Sequence, residues 1–186
     1  MTADGHSEGE IIRSVQDFAI RRGLPANFFT QLLLDEDWAA IVKVSAVVET
    51  GLNEALAARM PPEWKESIIG LPLRTKRQMA VAANLLPEKI DRAIETLSGL
   101  RNAIVHDAKG LQFDLSRHLE EPGKLQSFVA RVGWVMCSIS QLETEKAPPQ
   151  TAIDSVTENP KFACLMVALM TLLYLGEESP STDRPA

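Results

Sequence analysis

This chain is poor in aromatic residues (5%), holds only two cysteines, and lacks any surplus of positive charge. Its formal net charge of −6 argues against a dedicated duplex-DNA binder, which would present a basic face. A local basic groove for RNA is still compatible with an acidic protein. Cys137 and Cys164 sit in apolar, helical surroundings without metal-ligand spacing, and read as buried free thiols. The most hydrophobic segment, Phe162 to Leu175, is about fourteen residues long. A bilayer span needs about twenty, so a buried core helix is expected and no membrane association. The first twenty residues carry Asp4, Glu8, Glu10 and Asp17 with no apolar run, which predicts no secretory signal and a cytoplasmic location. A Gly-rich phosphate loop, a nucleophile elbow, a zinc-ligand cluster and paired-carboxylate spacing are all missing, so no metal and no cofactor are expected.

What the chain does have is aliphatic. Hydrophobic residues make up 45% of it, and Val, Ile and Leu recur at spacings of three and four without sustained strand alternation. That pattern predicts an all-α fold. One domain over residues 10–176 is expected, with a motif-bearing core at about 36–145, and with disordered ends at 1–9 and 177–186. The spacing predicts a weak helix from Glu10 to Arg22, a short one with Phe28 and Leu32, and a long one from Trp38 to about Met60, stopped by Pro61-Pro62. Shorter helices follow over Glu63–Ile69 and Leu73–Leu86. A strong helix is expected from Pro87 to Ala108, with Pro87 suited to its first position. A helix over Lys124–Glu145, a stiff linker at 146–151 containing Pro148-Pro149, and an apolar last helix at 160–175 complete the reading. A helix-turn-helix over residues 63–86 is disfavoured, because Pro72 and the apolar content suit packing better than groove reading.

On a wheel of 100° per residue, Trp38, Ile41, Val42, Ser45, Val48, Leu52 and Leu56 form a stripe with Glu49 near its centre. In the Pro87 helix, Ile90, Ala93, Ile94, Leu97, Ile104 and Ala108 form a stripe with Arg101 near its centre. A lone buried charge costs several kcal/mol, so each needs a partner. The economical expectation is that Glu49 pairs with Arg101, either fixing helix register or orienting a site.

Arg101 belongs to the hexapeptide Arg101-Asn102-Ala103-Ile104-Val105-His106. Arginine holds phosphate with a fixed fork of donors, and histidine exchanges a proton near neutral pH. Asn102 and His106 are four apart, so they are neighbours on the helix surface. Arg101 and His106 are about 140° apart, which calls for a loosened helix end or a second subunit. His6 and His118 lie in segments read as disordered and loop-like, and neither is expected to act. Arg74, Lys76 and Arg77 are the candidates for a phosphate-attracting patch, with an ordinary solvated helix face as the alternative.

Leu97 to Asp107, which contains the hexapeptide, resembles the signature of the HEPN superfamily. Trp38 to Leu52 is similar to the preceding helix of that superfamily's branch containing the mannitol operon repressor. Leu71-Pro72-Leu73-Arg74-Thr75-Lys76-Arg77, with Ala80 to Leu86, resembles that branch's intervening helix. The likeness covers about residues 36 to 115. It implies a helical bundle, here with an additional C-terminal apolar helix, that forms a homodimer with the two motif helices meeting at a shared cleft. It further implies a metal-independent endoribonuclease cutting single-stranded RNA to 2′,3′-cyclic phosphate ends, in stress response or phage defence. His106 would be the base toward the ribose 2′-hydroxyl, Arg101 would stabilise the phosphate, and Asn102 would orient one of them. Glu49 would position the site. Ala108 stands where some toxins of the family carry a modifiable tyrosine, which argues against that form of control. The second reading, also from this branch, is a non-catalytic dimeric regulator or adaptor that binds another protein.

Overall fold

Proline, glycine and one asparagine set where the helices stop, and aliphatic stripes set which way they face. In the computed structural model, which describes residues 16, 19–20, 23–106, 110–137 and 139–177, the fold is all-α, with no strand among the described residues. The expected helix over Glu10–Arg22, the disordered ends and the positions of His6 and Ala108 lie outside the described residues or nearly so. The chain forms two compact units, residues 1–36 and 37–186. In the first, helix α1 (Phe28–Leu34) buries Phe29 and Leu32.

The second unit is built on α2 (Asp37–Ala57), whose buried face runs through Ile41, Val44, Val48, Leu52 and Leu56. The helix ends at Ala57, three residues short of the expected Met60, in a turn closed by Arg59 N–H to Leu56 O at 3.0 Å, and Pro61-Pro62 follow. A 3-10 turn (Pro62–Trp64) and α3 (Lys65–Ile69) lead to α4 (Leu73–Ala82). That helix closes four residues before the predicted Leu86, because Asn84 adopts a left-handed conformation with φ of 56°. Leu85 N–H donates to Ala80 O at 2.8 Å and Asn84 N–H to Val81 O at 3.0 Å, the pairing of a Schellman cap. This turn drops Leu85 and Leu86 into the core. Helix α5 (Glu88–His106) follows, with the Pro87 carbonyl accepting from Ile90 and Asp91.

After α5 the chain reverses through a 3-10 turn (Gly110–Gln112) into α6 (Leu115–Leu119), a helix the sequence reading missed. Asp114 caps it by accepting from Arg117 N–H at 2.9 Å. Asp37 ties three elements together, accepting from Leu115 N–H at 2.8 Å and pairing with Lys161 at 3.1 Å.

The predicted helix Lys124–Glu145 is broken. It consists of α7 (Lys124–Val132), a 3-10 turn (Gly133–Met136), and α8 (Ile139–Thr144). A Cβ on Gly133 would lie 3.0 Å from Pro148 Cβ, so the Pro148 loop packs closely against this glycine. The tightened turn buries Trp134. Lys89 lies 3.9 Å from the Trp134 ring centre and donates to the carbonyls of Leu142 and Glu145 at 2.6 and 2.5 Å. Tertiary docking overrides helical propensity here.

Helix α9 (Gln150–Glu158) begins inside the segment expected to be linker. Helix α10 (Pro160–Glu177) is apolar on nearly all sides and makes its most extensive contact along α2. It is a core element rather than an appendage, with Val167, Ala168 and Thr171 fully buried. No single helix among those described is long and apolar enough to cross a membrane; α9 and α10 pass on length and composition only as a pair bent by 116°. Both cysteines are buried free thiols, and burial, with Asp37 adding to it, pushes Cys164 up to about 12.

Candidate functional site on helix α5

The three motif residues occupy the last turns of α5, and all three are exposed. The core stripe on this helix is Ile90, Ala93, Ile94, Leu97, Leu100 and Ile104. Leu100, not Arg101, fills the seam. The two positions differ by one residue, and burying the leucine spares the guanidinium its desolvation cost. Arg101 instead lies along the surface and donates from Nη1 to Asn102 Oδ1 at 3.2 Å.

The expected Glu49–Arg101 pair therefore does not form. Glu49 Oε1 accepts from Lys76 Nζ at 2.7 Å, and the same ammonium donates to Ile69 O at 3.0 Å. The Lys76 side chain is 0% exposed and that of Glu49 is 41% exposed. The stripe implied that Glu49 sits at the centre of the buried face of α2; it lies instead at that face's partly exposed edge, and the buried charge that needs a partner is Lys76 on α4.

This also corrects two of the three proposed RNA-contacting residues. Lys76 is consumed by Glu49. Arg77 is buried and makes a bidentate pair with Asp91, Nε to Oδ1 at 2.6 Å and Nη2 to Oδ2 at 2.9 Å. Glu95 extends this network, 3.9 Å from Arg77 and 3.1 Å from Arg131. Both cations hold α4 against its neighbours. Arg74 alone of the three is exposed.

Around α5, at about 100° per residue, the exposed surface runs from Arg101 through Val105, Asn102 and His106 to Gly99 and Ala103. Val105 is half exposed, and a Cβ on Gly99 would meet nothing within 4 Å. Asn102 and His106 thus stand midway, with Arg101 to one side and a strip of small side chains to the other. Among the described residues no three His, Cys, Asp or Glu side chains are grouped as a metal site would need.

Beyond that strip lies an open cleft of about 240 Å³ between α5, α6 and α7. The sequence reading placed His118 in a loop and gave it no role. It sits on α6, mostly buried, with its ring 5.2 Å from that of Phe113 and Nδ1 3.5 Å from Glu121. Burial lowers its pKa below the ordinary histidine value; the Lys124 ammonium adds to the drop and Glu121 opposes it. No periodic signal could have exposed this environment, because it depends on how α6 folds back after the turn at Gly110.

No family model, no curated protein and no solved structure matches this chain.

Proposed function

We propose that this chain is a metal-independent endoribonuclease of the HEPN type, acting on single-stranded RNA where the α5 helices of two copies meet. The observation that carries this reading is the shared exposure of Arg101, Asn102 and His106 on one helix. Each supplies a different requirement of transesterification. His106 takes the proton of a ribose 2′-hydroxyl, which then attacks the adjacent phosphorus. The bond to the 5′-oxygen breaks, that oxygen leaves with a proton, and a 2′,3′-cyclic phosphate remains. Arg101 stabilises the charge on the non-bridging oxygens. Asn102 holds the guanidinium through its side-chain carbonyl, the contact present at 3.2 Å.

The angular gap of about 140° between Arg101 and His106 supports a second copy. Two such helices crossing antiparallel bring the arginine of one beside the imidazole of the other. No cofactor is required by this chemistry, and the location expected for it is the cytoplasm.

The test is purified protein with mixed single-stranded RNA in EDTA. The wild type should generate cyclic-phosphate ends and leave single-stranded DNA intact, since DNA lacks the nucleophile. His106→Ala and Arg101→Ala should each slow cleavage by about a hundredfold or more. Light scattering should give twice the 20.5 kDa chain mass. RNA left intact by the wild type would favour the second reading, a non-catalytic dimeric regulator that binds another protein. One observation favours that alternative: Lys76 and Arg77 are buried, which removes most of the basic patch expected beside the motif.

A further inference from the structure

The cleft between α5, α6 and α7 has the size and lining of a site for one planar polar ring. Its volume of about 240 Å³ falls below the roughly 300 Å³ at which pockets for drug-sized ligands begin. Leu100 and Phe128, both buried, reach the cleft only by their edges and form its apolar floor. Thr96, Ser127 and His118 supply groups for the edge of a ring. Ser127 can donate or accept, Thr96 Oγ1 can accept while it donates to Arg92 O at 3.1 Å, and His118 offers Nε2 while its Nδ1 faces Glu121 at 3.5 Å.

Charge makes a phosphate a poor occupant. Lys124 is the one cation of the lining, and Glu121 lies 3.9 Å from it and 3.5 Å from His118. An anion there would face a carboxylate already in possession of the positive charge.

Position relates the cleft to the motif. Gly99 and Ala103 form its α5 wall. Ala103 is three residues before His106, and Gly99 three before Asn102, spacings that put Cβ positions about 5–6 Å apart. A base and its own ribose are no further apart than that. Gly99 has no neighbour within 4 Å of where a Cβ would stand, so this wall is open rather than packed.

We propose that the cleft holds the base of the nucleotide whose 2′-hydroxyl faces His106, so that a single splayed base, read without strong preference, sets the linkage against the imidazole. This deepens the ribonuclease reading and rests on it for the identity of the substrate. Single-stranded RNA is recognised in this manner, by unstacked bases lodged against side chains and hydrogen-bonded on their edges.

The experiment uses fluorescein-labelled 2′-O-methyl RNA hexamers, which bind without being cut, and reads Kd by anisotropy. The cleft is filled from opposite walls, with Gly99→Leu on α5 and Ser127→Leu on α7; circular dichroism melting checks that both fold. Both variants should weaken binding about tenfold, the order expected for losing one stacked base. A hexamer with one abasic residue at the sensitive position should lose the same factor against the wild type and nothing further against Ser127→Leu. Unchanged affinity in Ser127→Leu overturns the proposal, as does an abasic penalty that persists once the cleft is filled. So does a wild type that binds no hexamer at all. The two readings separate cleanly. Cleavage in EDTA with normal binding by both filled variants keeps the nuclease and discards the base site; cleft-dependent binding without cleavage does the reverse.

Discussion

Removing the Glu49 carboxylate tests the central electrostatic contact of the fold. Lys76 is 0% exposed and its ammonium meets two oxygens, Glu49 Oε1 at 2.7 Å and Ile69 O at 3.0 Å. Glu49→Ala strips the charged partner and strands the ammonium on one carbonyl. Breaking a buried pair from one side costs roughly 3–5 kcal/mol. Glu49 is 41% exposed, so water replaces part of what it supplied, and the cost falls to about 2–3 kcal/mol. For a chain of this length that lowers Tm by about 4–12 °C. Lys76→Met replaces the ammonium with an apolar group of similar length, and leaves behind a carboxylate that can hydrate; its cost should be about 1 kcal/mol. The decisive case is the double variant Glu49→Ala/Lys76→Met. It should be more stable than Glu49→Ala alone, because the stranded charge is gone. Thermal and urea unfolding followed by circular dichroism measure all three. If the double variant instead loses the sum of the two single losses, Lys76 does not depend on Glu49 and the buried-charge reasoning is wrong. RNA cleavage per folded molecule should be unaffected in Glu49→Ala, since Arg101 lies on the surface with Asn102.

Gly110→Ala should cost about 1–3 kcal/mol by overpacking, because a Cβ there would run into the carbonyl group of Ile104. Backbone cannot swing aside as a side chain can, so the end of α5 that carries His106 must shift, and cleavage should fall more than stability alone explains; urea unfolding and cleavage rates on the same preparation separate the two. His118 predicts a pH effect of definite sign. Its folded-state pKa is lowered, chiefly by burial and then by Lys124, so the fold prefers the neutral ring. Its contribution is intact above the unfolded value of about 6.5, is lost as pH falls from there toward the folded value, and then levels off. Tm measured from pH 7.5 to 5 should fall more steeply in the wild type than in His118→Asn, and parallel curves would refute the assignment.

The long helices were legible because their aliphatic periodicity is strong and their ends are marked. Pro87 opens α5 and Asn159-Pro160 opens α10 near the predicted boundaries, while α2 ends at Ala57, shortly before Pro61-Pro62. The breaks were not legible where tertiary contacts made them. Nothing local to Gly133 announces that Pro148 will pack on it, or that Lys89 will reach the carbonyls of Leu142 and Glu145. Asn84 is the intermediate case, since asparagine tolerates a left-handed conformation but does not demand one. At the site, the wheel put Glu49 at the centre of a seam whose edge it occupies, so the buried charge it meets, Lys76, was not foreseen. It also misplaced Arg101, because Leu100 and Arg101 straddle the same seam and only packing decides which goes inside. Lys76 and Arg77 misled in the opposite direction, since two adjacent cations on a short helix look like a solvated face. What buries them is the placement of Glu49 and Asp91 on other helices.

That exchange of roles has a consequence for how the molecule divides its charges. The cations sunk into the helix interfaces, Lys76 and Arg77, are each met by a carboxylate at hydrogen-bonding distance, and they carry no charge outward that a phosphate would feel. Arg101, which the stripe had placed inside, contacts only a neutral amide among its described partners and keeps its full charge at the surface. A guanidinium held by an amide rather than a carboxylate retains its attraction for an anion, whereas the bidentate Arg77–Asp91 pair has spent its own. On the proposed function, stability and phosphate binding fall to different arginines. Substitutions at Arg77 should be read as tests of folding, and those at Arg101 as tests of chemistry. An effect of Arg101→Ala on cleavage at unchanged Tm is the pattern this separation requires; a large loss of Tm would return Arg101 to the core and remove the phosphate-binding group from the site.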